Sequence, residues 1–168
     1  MHARDWAQEM ARYNRWQNEK LYGITDGLTD AEREGDRGLF FGSIRHTLDH
    51  MLMLETRFME LSENGVATTP FLLKKTLFET YGTLSSARRA FDQRLEETFE
   101  GADGDWFEAT IRFGEPALNG RTSVARHFLF MQMFNHATHH RSQVTSELHR
   151  MGIDYGSTDL PFNPDTAY

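Results

Sequence analysis

The chain contains no cysteine. Disulfides and thiolate-bound metals are therefore excluded, and any sulfur nucleophile must arrive with a substrate or cosubstrate. No segment approaches about 18 consecutive apolar residues, so no membrane-spanning helix is expected. The opening MHARDWAQEM lacks a basic stretch followed by an apolar run, and the expected location is the cytoplasm. Positive charge is in deficit, with a formal net charge of −7. That argues against general nucleic-acid binding, which needs a concentrated basic surface. Glycine-rich phosphate loops are absent, as are an HExxH helix and paired EExxH helices. Zincin-type peptide hydrolysis and a di-iron carboxylate centre both lack their residues. At 168 residues, one domain spanning 1–168 can bury a core without covalent staples.

What the chain does have is helical periodicity, with little proline to interrupt it. Trp6, Met10, Tyr13, Leu21 and Ile24 recur every three or four positions or multiples of that spacing, which predicts a first helix from Asp5 to about Ile24. Thr29 with Glu32 forms a capping-box pattern that opens a short helical turn. Ser43 is placed to cap a second helix running to about Glu63 and stopped by Asn64 and Gly65. A third helix is expected from about Lys75 to Phe99. Leu77, Tyr81, Leu84, Phe91 and Leu95 form its inner face, and Arg88, Arg89, Arg94, Glu96 and Glu97 a solvated one. The turn-rich stretch from Gly101 to Thr122 holds a β-favouring run, Ala109 to Phe113, and reads as a long crossover with room for a small hairpin. Thr122 or Ser123 then caps a fourth helix that Gly152 ends, and the tail folds back or reaches a second subunit. The expected fold is all-α, a four-helix bundle with a long connection between helices three and four.

The fourth helix carries His136, His139 and His140, and the second carries His46 and His50. With eight histidines in the chain, chance alone yields about 0.4 pairs four residues apart, so one HxxxH spacing is weak evidence. Direction adds to it. Counting 100° per residue, His140 lies roughly 40° from the centre of the apolar stripe, His136 roughly 80° and His139 roughly 140°. On the second helix His50 lies roughly 90° from the stripe and His46 roughly 130°. Two readings stand: a metal site of His50, His136 and His140, or hydrogen-bonded core histidines. Three imidazoles from two helices would leave a coordination position for water or substrate. Glu55 falls inside the second helix's apolar stripe, where it either orients a histidine ring or reaches water at the helix edge. Tyr13, Asn14, Trp16 and Asn18 form either a pocket floor or an aromatic face with solvated amides.

Three segments, YNRWQNE, SIRHTLDH and FNHATHHRSQV, occur in an order and spacing similar to those of the DinB or YfiT-like family of metalloproteins, and the likeness covers nearly the whole chain. The last segment resembles that family's NHxxHHRGQ signature. The resemblance implies a four-helix bundle, often dimeric, binding a divalent metal such as zinc or nickel through residues that correspond to His50, His136 and His140. It also implies kinship with metal-dependent transferases of low-molecular-weight thiols such as bacillithiol or mycothiol, and with related hydrolases and isomerases. A coordinated thiol loses its proton readily, which makes such chemistry physically sound. Three positions depart from the family pattern: Ser142 stands for the signature glycine, Asp49 for an asparagine, and Phe58 or its neighbourhood for a tryptophan. Arg141 has two readings, a holder of a substrate carboxylate or a surface or dimer-interface charge. His46, His127, His139 and His149 are read as surface or structural. The functional expectation is a homodimeric three-His metalloprotein transferring a thiol onto a small electrophile. The alternatives are a stress-response metal-binding protein without turnover and a helical interaction module.

Overall fold

The first helix, α1 (Ala3–Asp26), buries Ala7, Ala11, Asn14, Asn18, Leu21, Tyr22 and Thr25, a spacing of three and four that keeps one face inward. The molecule is a computed structural model, and it describes residues 2–117 and 119–166. Mostly helical, it adds one small two-stranded sheet to six α-helices among those residues. Thr29 and Glu32 make the expected reciprocal cap of the short helix α2 (Asp30–Glu34). Ser43 Oγ accepts from the His46 N–H at the start of α3 (Ile44–Asn64), and Gly65, at φ 70°, ends that helix. A side chain at Gly65 would run into the Arg112 carbonyl oxygen as well as forcing a left-handed backbone.

The next helix, α4 (Tyr81–Gly101), begins later than the expected Lys75. Asp49 explains the difference. Its buried carboxylate accepts the Leu77 and Phe78 N–H groups at 2.7 and 3.0 Å, while the Arg45 guanidinium donates to the carbonyls of Phe78 and Glu79. Backbone groups used this way hold the segment non-helical until Thr80 caps α4.

The crossover contains a helix that periodicity did not reveal, α5 (Gly104–Glu108), capped by the Asp103 carboxylate on the Trp106 N–H. It seats Phe107, fully buried, against Phe99, a burial that contributes about 1.5–3 kcal/mol. The hairpin is real. Strand β1 (Thr110–Ala117) pairs antiparallel with β2 (Arg121–Ala125). Thr122 and Ser123 are thus taken up in β2, and they do not cap the last helix, α6 (Arg126–Arg150), as expected. Strand pairing supplies the order that a cap would have supplied, and the Arg126 N–H bonds back to the Ala109 carbonyl.

The two ligand-bearing helices of the sequence reading, α3 and α6, pack on each other, α1 packs on α4 and on α6, and α3 also meets α4. The tail folds back along α1. Tyr13 Oη donates to the Thr158 carbonyl at 2.7 Å, Lys20 donates to the Ser157 carbonyl, and Arg15 pairs with Asp165 at 3.0 Å. The tail's last two positions, 167 and 168, lie outside the described residues. No described helix is long and apolar enough to cross a membrane.

Candidate metal centre

Three imidazole rings meet where α3 faces α6. His136 Nε2 lies 3.2 Å from His50 Nε2 and 3.0 Å from His140 Nε2. The candidate nitrogen atoms of all three lie within 4.8 Å of one another. His50 and His140 are buried and His136 nearly so, while His139, one residue from His140, is exposed. The four-residue step on α6 stacks His136 under His140, and the α3–α6 contact supplies His50.

The protons decide what such a cluster can hold. Gln143 Oε1 can only accept, so at 2.8 Å it places a proton on His140 Nδ1 and leaves His140 Nε2 as a bare lone pair. A neutral imidazole has one N–H. At most a single shared proton on His136 Nε2 can serve both of its contacts, so at least two lone pairs still point inward. His50 Nδ1 and His136 Nδ1 are buried with no hydrogen-bond partner among the described residues. Burial, then the neighbouring rings, holds His136 down to about 3. Burial, then His140 and His46, holds His50 down to about 4. His140 is lowered as well, chiefly by burial, against the opposing pull of Gln143. All three are neutral at pH 7, as metal ligands must be. Ligand nitrogens about 2.1 Å from a tetrahedral ion stand about 3.4 Å apart, close to the two spacings about His136 Nε2. The donor set therefore fits a divalent ion.

The DinB family profile matches residues 2–168, essentially the whole chain. The chain belongs to the DinB family. No curated protein and no solved structure matches it. Within this DinB chain Glu55, Asn14 and Arg141 make no hydrogen bond to the three rings and belong to one separate polar network. Glu55 neither orients a histidine ring nor reaches water. It is fully buried and paired with Arg88. Arg88 in turn is not on a solvated face, as its charged surroundings suggested. It is 1% exposed and also pairs with Asp92 at 2.8 Å. Asp92, pushed up to about 6 by burial against the pull of Arg88, accepts from the side-chain amides of Asn14 and Asn18. Those two asparagines accept from Arg141, which is buried and not a surface charge. Tyr13, Asn14 and Arg141 thus lie together on the α1 side of α6, one helix step away from the imidazole cluster.

Two residues at the centre escaped the sequence reading. Phe41 stacks on His50, ring centroids 4.0 Å apart, and its centroid is 5.5 Å from that of His140. A tight loop holds it there: Arg37 N–H donates to the Gly42 carbonyl, Gly42 N–H to the Leu39 carbonyl, and Gly38 and Gly42 adopt φ of 66° and 83°. Both glycines were visible in DRGLFFG as turn signals, but nothing there indicated which phenylalanine turns inward. Gln143 is the other. It sits at the glutamine of the HHRGQ-like signature, where a partner for a histidine three residues earlier was there to be read.

Proposed function

We propose that this DinB protein holds a divalent ion, zinc or nickel, on His50, His136 and His140 within a four-helix bundle of α1, α3, α4 and α6, and transfers a low-molecular-weight thiol onto a small electrophile. The observation that carries the proposal is the convergence of three neutral Nε2 atoms from two helices at 3.0 and 3.2 Å. When bound, such an ion lowers the pKa of a coordinated thiol, supplying thiolate near neutral pH. The chain's own residues prepare the place. Gln143 keeps the His140 proton on Nδ1 and so aims Nε2 inward. Phe41 covers the His50 ring and keeps water from it. An open depression of about 320 Å3, lined in part by Leu39, Phe40, His139 and Gln143, borders the centre and offers a small substrate its approach. With no cysteine in the chain, the sulfur comes from the cosubstrate.

Metal analysis of protein purified without a histidine tag, followed by a panel of thiols with a chromogenic electrophile, tests this reading. Stoichiometric metal and thiol-dependent turnover are expected. Bound metal without turnover would refute the transferase and leave a metal-binding protein, a reading that the Phe41 cover itself favours. The same purification tests a homodimer. Phe128 and Met131, about half exposed on α6, are apolar surface that a second copy would cover, and sedimentation equilibrium reads the mass.

A further inference from the structure

On the other flank of α6 from the imidazole cluster, a cavity of about 260 Å3 opens between α1, α6 and the returning tail. Its lining includes Tyr13 and Lys20 of α1 and Thr138, Arg141, Ser142 and Thr145 of α6. Successive turns account for the α6 set: 138, 141, 142 and 145 are the three- and four-residue neighbours of one face. The volume lies just below the roughly 300–1,000 Å3 typical of ligand pockets, a size for a small metabolite.

Arg141 is the informative residue. Only 6% of it is exposed, yet no carboxylate among the described residues forms an ion pair with it. Its Nη1 bonds to Asn14 Oδ1, with a longer contact of 3.4 Å to Asn18 Oδ1. Asp92, the first acid along that chain of hydrogen bonds, is one amide removed. The opposite edge of the guanidinium is nearly free: Nη2 makes one contact of 3.4 Å, to Thr138 Oγ1, and Nε makes none among the described residues. That Nε and Nη2 edge is the fork on which arginine receives a carboxylate through two parallel hydrogen bonds. Lys20, the second cation of the cavity wall, rests its ammonium on the Trp16 ring at 4.5 Å and donates to the Ser157 carbonyl, again with no ion pair among the described residues. The acids nearest the rim, Asp154 beside Lys20 and Asp159 beside Tyr13, belong to the tail and do not line the cavity.

We propose that this cavity binds a small organic carboxylate, its two oxygens on the Arg141 fork and its charge shared with Lys20, at a site separate from the histidine centre and independent of any metal there. A carboxylate fits better than a phosphate. Both helical walls present mid-helix backbone whose N–H groups are already used within the helix, so neither helix supplies the converging backbone donors of phosphate sites. The helical walls offer one guanidinium fork, one ammonium, the Gln17 amide and the hydroxyls of Thr138, Ser142, Thr145 and Ser146.

The test is an NMR titration of the metal-free full chain with benzoate, benzamide and inorganic phosphate. Benzoate should move the backbone amide signals of 17–21 and 138–146 saturably, and benzamide should not. Lys20→Gln, a change at a half-buried side chain that leaves the core intact, should weaken benzoate about tenfold, and Arg141→Lys should weaken it too because the fork is lost. His136→Ala should leave benzoate affinity unchanged. The proposal is overturned if benzamide binds as well as benzoate, if phosphate binds more tightly, if Lys20→Gln has no effect, or if the shifts gather around His50 and His136 and vanish in His136→Ala.

Discussion

Metal-free protein should lose stability in weak acid, and the loss should be traceable to single rings. A histidine in the unfolded chain titrates near about 6.5. The fold holds His50 down to about 4 and His136 to about 3. At about pH 5 each ring is therefore protonated in the unfolded chain and neutral in the native one, and the unfolded state binds the extra protons. Stability must then fall as pH falls below about 6.5, and it keeps falling until the native rings themselves protonate. At about 1.4 kcal/mol per pH unit over about 1.5 units, each ring removes about 2 kcal/mol by about pH 5. His140 acts in the same direction. Asp92 acts in the other: raised to about 6, it takes up its proton in the fold first and returns about 1 kcal/mol over the same interval. His50, His136 and Asp92 together give a net loss of about 3 kcal/mol. Urea midpoints of metal-stripped protein at about pH 7 and about pH 5 measure it. His50→Gln and His136→Gln should each shrink the pH dependence by about 2 kcal/mol, and Asp92→Asn should enlarge it by about 1. Histidine variants with the parent's full pH dependence would refute the buried, neutral cluster.

Three further outcomes follow from the same geometry. His136 Nε2 is the atom that both other rings approach, so His136→Ala should reduce metal occupancy to background in elemental analysis while His139→Ala keeps it; equal losses would show that the wrong face of α6 has been assigned. Gln143→Ala frees the His140 ring to turn, and metal affinity measured by competition with a chelator should fall about 10–100-fold, with unchanged affinity counting against the hydrogen bond's role. Glu55→Ala leaves the Arg88 charge buried beside Asp92 alone, and urea denaturation should show a loss of about 3–5 kcal/mol; a loss below about 1 kcal/mol would mean that water reaches the pair.

Much of this was legible in the chain because local rules and tertiary packing agree there. Ser43, Gly65 and the Thr29–Glu32 pair do in the fold what their types do in any helix end. His136 and His140 were assigned inward and His139 outward by angle alone, and burial follows that order. The failures have one physical source, contacts between residues far apart in sequence. Asp49 delays α4 through backbone groups 28 and 29 residues away. Arg88 reads as solvated because its pattern shows a charged stripe, while the carboxylate that permits its burial, Glu55, lies 33 residues earlier. Phe41 could not be told from Phe40 because a tight loop, with no helical period, sets which ring faces His50.

The buried charges also bear on why the imidazoles meet at all. Buried ion pairs such as those of Arg88 with Glu55 and Asp92 often contribute no more stability than apolar side chains of similar volume. Their physical effect is directional. Hydrogen bonds join Glu55 on α3 to Arg88 and Asp92 on α4, then Asn14 and Asn18 on α1, then Arg141 on α6. Each link tolerates an error of a few tenths of an ångström before it weakens, whereas an apolar contact slides more freely. A chain of such links across all four long helices sets how far α6 can shift along α3. That shift is the coordinate on which the histidine centre depends, because His140 precedes Arg141 by one residue and His50 precedes Glu55 by five. A displacement of one helical residue, about 1.5 Å, would be enough to separate nitrogens that now stand 3.0 and 3.2 Å apart.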